Sequence, residues 1–137
     1  MTVEENKALV RRGWEIAGTL RSQAMKEVYD RDVLYHGTAG EEIRGLESVV
    51  AFIQGYFTAF PDMKFTVEDV FGEGDRVFSR VRVEGTNTGE MMGTPPTGKR
   101  LDIRWLMNVA RIADGKIVEE WEIFDQMDMM RQLGLAQ

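Results

Sequence analysis

Phe60-Pro61-Asp62-Met63-Lys64-Phe65-Thr66-Val67-Glu68 is the stretch where the chain changes period. Upstream, Leu46, Val49, Val50, Ile53, Phe57 and Phe60 recur at helical spacing, and Pro61 stops the run. Downstream, Met63, Phe65 and Val67 alternate with Lys64, Thr66 and Glu68, the pattern of a strand with one buried face. Working outward toward the N-terminus, Thr2-Val3-Glu4-Glu5 fits a capping box, followed by a helical stripe of Leu9, Val10, Trp14, Ala17 and Leu20. A shorter amphipathic piece carries Ala24, Met25, Val28 and Tyr29, and Val33-Leu34-Tyr35-His36 reads as a short strand. Toward the C-terminus, strands are predicted over Val77–Thr88, Leu101–Ile112 and Ile117–Phe124, then a helix from Gln126 to Leu133 that stops at Gly134. Helices first and an antiparallel meander after them point to an α+β domain, with helices packed on one face of a curved sheet.

The chain's 137 residues fit one domain over 1–137, without linker, repeat or low-complexity tract. An apolar fraction of 43% suits a globular chain. A net charge of −6 without a basic block argues against nucleic acid as a partner. No apolar run reaches the roughly 18–20 residues of a membrane span, and the polar opening does not read as a secretory signal, so a cytoplasmic protein is expected. The absence of cysteine removes disulfides and thiolate chemistry. A single histidine rules out multi-histidine zinc sites. Gly72-Glu73-Gly74 is a turn between strands and not a phosphate loop, and no Gly-x-Ser-x-Gly elbow occurs.

Asp114-Gly115-Lys116-Ile117-Val118-Glu119-Glu120-Trp121-Glu122-Ile123-Phe124-Asp125 reads as a hairpin turn feeding the last strand. Strict alternation places Ile117, Glu119, Trp121, Ile123 and Asp125 on one face. If that face looks into an apolar pocket, the carboxyl of Asp125 acquires a raised pKa and serves as a proton-transfer group. The competing reading makes Asp125 the N-cap of the helix that begins at Gln126.

Several motifs together resemble the SnoaL-like polyketide cyclases: Phe60-Pro61-Asp62-Met63 through Asp69, Gly74-Asp75-Arg76-Val77, Gly85-Thr86-Asn87-Thr88-Gly89-Glu90, Pro95-Pro96-Thr97-Gly98-Lys99-Arg100 and Asp114 to Trp121. The match runs from about Asn6 to Gly134. The resemblance implies the nuclear-transport-factor-2-like cone, a bent antiparallel sheet wrapped around helices with an internal pocket. It also implies ring closure in an aromatic polyketide by intramolecular aldol condensation, without metal or other cofactor; for this chain a small, largely apolar carbonyl compound is the expected substrate. The family's acid/base is an aspartate late in the chain, and Asp125 stands at the matching position. Trp14 matches an aromatic pocket position. A histidine often found late in the penultimate strand is missing here, where Asn108, Ala110 and Arg111 stand.

The remaining candidates follow from these two readings. His36 is expected to orient substrate or Asp125, against a bland role at a strand end. Arg80 matches a recurrent family arginine at the pocket rim, against a solvated position on a strand that alternates with Val81 and Val83. Trp14, Phe52, Tyr56, Met92 and Trp121 are pocket-wall candidates. Asp102 and Arg104, two apart on one strand, resemble part of the set used by limonene-epoxide hydrolases, against cross-strand surface pairs. The leading expectation is therefore a cyclase with Asp125 and His36 in the catalytic site and Arg80, Arg104 and the wall residues holding substrate. The alternatives are a non-catalytic binder of an apolar metabolite and an epoxide hydrolase. A homodimer across the outer sheet face is also expected, from the resemblance and from the alternation of Leu101, Ile103, Trp105, Met107 and Val109.

Overall fold

A computed structural model describes residues 1–19 and 22–136; Leu20, the last member of the first predicted stripe, lies outside the described residues. Helix α1 (Val3–Gly18) begins with the predicted capping box. Thr2 Oγ1 accepts from the Glu5 amide at 3.1 Å, and Glu5 Oε1 accepts from the Thr2 amide at 3.3 Å, which satisfies two otherwise unpaired donors. A 3-10 helix (Ser22–Glu27) leads to strands β1 (Tyr29–His36) and β2 (Glu42–Arg44). Helix α2 (Leu46–Ala59) follows, then β3 (Lys64–Glu73), β4 (Arg76–Thr86), β5 (Arg100–Ala113), β6 (Lys116–Ile123) and α3 (Gln126–Gln132). No helix among the described residues is long and apolar enough to cross a membrane.

The six strands form one sheet in the order β2-β1-β6-β5-β4-β3. The chain is α+β as expected, but the sheet is mixed: β1 and β6 run parallel, and β2 is an edge strand that the pattern did not reveal. Parallel pairing requires a long connection between the partners, which α2 and four intervening strands supply.

Register breaks occur in four strand pairs, and three of them are single-residue insertions that bend the sheet. Glu68 is inserted between Val67, opposite Val81, and Asp69, opposite Arg80. Arg104 and Trp105 together face the single residue Arg82, and Val118 is inserted between Ile117 and Glu119. Each extra residue kinks its strand and increases the local twist, so the sheet wraps around α1 and α2. Each also switches the face on which later side chains point. On β5, Leu101 and Ile103 are buried; beyond the bulge the buried residues are Leu106, Asn108, Ala110 and Ile112. The expected single face of Leu101, Ile103, Trp105, Met107 and Val109 is thus split, and Trp105 ends up 63% exposed outside.

Two apolar clusters fill the concave side, one around Val10, Val28, Val33 and Val49, the other around Phe57, Phe60, Val81 and Leu133. Trp14, Ile53 and Val67 touch both. The loop from Asn87 to Lys99 is fastened to the end of α2 by the buried Asn87. Its Nδ2 donates to the carbonyls of Ala59 and Gly89, and its Oδ1 accepts from the amide and hydroxyl of Thr97.

Candidate active site

The Asp114-Gly115 turn takes positive φ at both residues, +50° and +74°, the two-residue hairpin geometry predicted from this dipeptide. It launches β6 antiparallel to β5, with Ile117 buried on the concave side. The Val118 bulge then reverses the parity. Glu120 and Glu122 point inward, while Glu119 and Trp121 point outward, the reverse of the strict alternation predicted for this strand.

Inside the cone lies a cavity of about 90 Å³. A water-sized site needs roughly 10–15 Å³ on this scale, so the space admits a small organic ligand. Its wall is mainly apolar: Trp14 and Ala17 from α1, Phe52, Ile53 and Tyr56 from α2, Phe65 from β3, Val83 from β4, and Leu101, Ile103 and Leu106 from β5. Packing of the aromatic rings fixes this wall. Trp14 and Phe65 have centroids 5.2 Å apart, and Phe52 lies 5.5 Å from both Tyr35 and Tyr56. Trp14 Nε1 donates to the fully buried Ser79 Oγ at 3.0 Å, so neither polar atom is left unpaired.

Against this apolar wall stand Tyr29, Tyr35, Glu41, Glu120 and Glu122. Asn108 lies opposite Glu122 in register, and the small Ala110 lies opposite Glu120. The Asn108 Nδ2 group bridges the two carboxylates, 3.3 Å from Glu120 Oε2 and 3.3 Å from Glu122 Oε1. Tyr35 donates to Glu122 Oε2 at 2.6 Å, and Tyr29 to Glu120 Oε2 at 3.4 Å. The Tyr56 hydroxyl makes no hydrogen bond among the described residues, although its ring lines the cavity.

The electrostatics follow from burial. Glu120 is pushed up to about 8, first because it is buried and second because Glu122 carries like charge; the bonds from Asn108 and Tyr29 pull the other way. Glu122 is raised as well, chiefly by burial and further by Glu41, against the pull of Tyr35 and Asn108. Glu122 retains some accessible surface because it opens onto the cavity. Two carboxylates this close titrate as a unit, and near neutral pH the unit retains a proton on the deeper Glu120. Tyr29, Tyr35 and Tyr56 are all raised, in each case mainly by burial and then by the glutamate charges, so they remain protonated donors.

The other predicted site residues lie elsewhere. Asp125 does not face the cavity. It is the N-cap of α3, its Oδ1 accepting from the Asp128 amide at 2.9 Å, with the side chain 67% exposed. The Val118 bulge is the reason: without it, the alternation carrying Ile117 inward would have carried Asp125 inward too. His36 lies on the outer face, its Nε2 2.7 Å from Glu119 Oε2 and its ring stacked on Trp121 at 5.3 Å. Trp121 is therefore outside the cavity as well, with the Arg76 guanidinium 5.2 Å over its ring. Arg80 alternates with the buried Ser79 and Val81 and points outward. Arg104 is exposed in the β5 bulge, and Met92 is 71% exposed at positive φ in the loop after β4. Asp102 is paired outside with Arg82, at 2.9 and 2.8 Å. Of the predicted residues, Trp14, Phe52 and Tyr56 line the cavity. Glu120 and Glu122 were missed; the signal available was the unusual pair of acidic residues among Trp121, Ile123 and Phe124. No group of three or more His, Asp or Glu side chains suited to a metal ion occurs among the described residues.

A sequence profile of the SnoaL-like polyketide cyclases matches residues 7–133. The chain is 30% identical over 129 residues to the aklanonic acid methyl ester cyclase DnrD of Streptomyces peucetius, covering 92% of this chain and 88% of that protein. Among solved structures, IdmH of Streptomyces antibioticus, assigned as a polyketide cyclase, superposes with a TM-score of 0.83 at 30% identity over 94% of this chain and 98% of its own. A Jannaschia sp. CCS1 protein assigned to the SnoaL-like polyketide cyclases reaches a TM-score of 0.89 at 23% identity, covering 98% of this chain and 94% of that one. With a profile match over nearly the full length and 30% identity to a cyclase covered over 88% of its length, the chain belongs to the SnoaL-like polyketide cyclase family.

Proposed function

We propose that the protein closes a ring in a small, mainly apolar carbonyl compound by intramolecular aldol condensation, with Glu122 as the acid/base in place of the expected Asp125. The observation that carries this reading is the glutamate pair held by Asn108, Tyr29 and Tyr35 inside an otherwise apolar cavity. Burial, and then the Glu41 carboxylate, raise Glu122, which makes its carboxylate a stronger base than a solvated one. Glu122 takes a proton alpha to a carbonyl, breaking the C–H bond and leaving an enolate. The enolate carbon attacks a second carbonyl carbon of the same molecule, forming the C–C bond and an alkoxide. The protonated Glu122 then returns its proton to that alkoxide. In this scheme the Tyr56 hydroxyl, without a hydrogen-bond partner among the described residues, donates to the developing oxyanion, and the aromatic wall folds the substrate so that its two ends meet. The acid/base steps as written require no added cofactor.

The relative DnrD is named for aklanonic acid methyl ester, which makes cyclisable carbonyl esters the first substrate class to test. Cyclisation by the wild-type chain, with solvent deuterium entering the alpha position, and loss of both in Glu122→Gln is the expected result. Undiminished turnover in Glu122→Gln would remove Glu122 from the mechanism. The second reading, a non-catalytic binder of an apolar metabolite, is favoured by the exposed position of Asp125; it predicts a retained ligand, chemically unchanged, and no deuterium uptake. The epoxide-hydrolase reading is weakened by Asp102 and Arg104 standing outside the cavity.

A homodimer across the outer face remains part of the proposal. In register, Phe71, Phe78, Val109 and Trp121 form an apolar row across four strands of that face, with Trp105 and Ile123 exposed nearby. Light scattering at micromolar concentration tests it, a monomer counting against it.

A further inference from the structure

Resting on the reading of the cavity as a substrate site, we infer that its substrate carries a basic amine, received as an ammonium by the acidic wall of Glu41, Glu120 and Glu122. The wall holds three carboxyl groups and, among the described residues, no lysine, arginine or histidine. Its own donors are nearly all spent. Tyr29 and Tyr35 donate to the glutamates, Asn108 bridges them, and the Thr38 hydroxyl donates to the Phe124 carbonyl at 2.9 Å. The Tyr56 hydroxyl remains among the lining donors, beside the proton that the glutamate pair retains and gives up when a cation enters. Acceptors are in surplus: Glu120 Oε1 has no partner among the described residues, and of the Glu41 carboxylate only Oε1 is engaged, by the Ala39 amide at 2.7 Å.

A ligand entering such a site must bring donors. An ammonium brings three together with the missing positive charge. The aromatic rings of Tyr35, Phe52 and Tyr56, which line the same cavity with Phe52 packed against both tyrosines, favour a cation further. Burying two carboxyl groups in one cavity is costly without a compensating charge, and a single one would suffice for the acid/base work. In this arrangement Glu41 and Glu120 hold the ammonium while Glu122 works on the carbonyl.

The groups facing the ammonium are Glu120 and Glu122 from β6, Tyr29 and Tyr35 from β1, Asn108 from β5, Tyr56 from α2 and Glu41 from the loop before β2. Receiving a positive charge there discharges the proton retained by the glutamate pair. Calorimetry at pH 7 with three matched probes tests the inference: 2-(aminomethyl)naphthalene, 2-naphthalenemethanol and 2-naphthoate. The amine is expected to bind roughly tenfold tighter than the alcohol or better, with the carboxylate weakest. The heat of amine binding should also vary with the ionisation enthalpy of the buffer, reporting proton release. Glu41→Gln, checked for native circular dichroism, should lower the amine's affinity severalfold and leave the alcohol's unchanged. An alcohol that binds as tightly as the amine, a carboxylate that binds best, or failure of all three to bind overturns the inference. Glu122→Gln turnover reads the cyclase mechanism independently: intact turnover defeats that mechanism and leaves the ranking of the probes standing.

Discussion

Replacing Glu120 by glutamine should abolish a pH dependence that the wild-type fold carries. In the folded chain Glu120 retains its proton up to about 8, whereas its ordinary value is 4.5. Between those two values the folded state holds a proton that the unfolded chain has released. Stability contributed by this proton is complete below the unfolded value and is lost as pH rises through the folded one. At about 1.4 kcal/mol per unit, the loss between pH 4.5 and 8 is of the order of 5 kcal/mol. Glutamine keeps the shape, and its amide oxygen can accept from Asn108 and Tyr29, yet it never ionises. Burial and Glu41, the two causes that raise Glu122, are untouched by this substitution, so the difference between the two proteins reads Glu120 itself. Urea unfolding of both proteins, followed by circular dichroism from pH 5 to pH 9, measures the effect. The wild type should lose several kcal/mol relative to Glu120→Gln on passing from pH 5 to pH 9. A gap that stays constant within about 1 kcal/mol across that range would show that Glu120 is solvated in the folded protein, and the cavity argument would fail with it.

Glu122→Gln should cost about 10²–10⁴-fold in turnover, as loss of a general base does, while Asp125→Ala should leave turnover unchanged and cost about 1 kcal/mol of stability through the lost cap; steady-state kinetics and urea unfolding on the two variants separate these outcomes. Asn87→Ala removes the side chain that accepts from Thr97 and donates to two carbonyls, and should destabilise the fold by roughly 2–4 kcal/mol, read from the urea midpoint. Gly89→Ala would place a Cβ 1.8 Å from the Thr58 carbonyl oxygen, so the loop must leave its dock on α2, and the thermal midpoint should fall by more than that of any exposed-glycine control such as Gly74→Ala tested beside it.

The elements were legible in the sequence because period and punctuation determine them: the capping box at Thr2, the stop at Pro61 and the Asp114-Gly115 turn all act locally. The parity of side chains beyond a bulge was not legible. An alternating pattern reads the same on both sides of an inserted residue, and nothing in Lys116-Ile117-Val118-Glu119 marks Val118 as the extra one. That single insertion moved Asp125 and Trp121 out of the cavity and put Glu120 and Glu122 into it. Similar reasoning explains Trp105, displaced by the bulge opposite Arg82. Trp14, Phe52 and Tyr56 escaped this error because they sit on helices, where no bulge intervenes. The short strand β2 pairs only with β1 and carries no alternation long enough to register.

Strand β6 occupies an interior place in the sheet, between β1 and β5, although it is the last strand in chain order among the described residues. During synthesis, β1 and β2 leave the ribosome long before the strand that will join them to the rest. Until then the β1 edge is open and the apolar residues Val33 and Tyr35 lack their final neighbours. Closure must bring together residues as far apart as His36 and Trp121, a step dominated by distant pairing and therefore slow. Nascent chains halted before Lys116 should accordingly depend on chaperones, and the cavity's two buried-side glutamates, Glu120 and Glu122, arrive with the same strand that joins the two parts of the sheet.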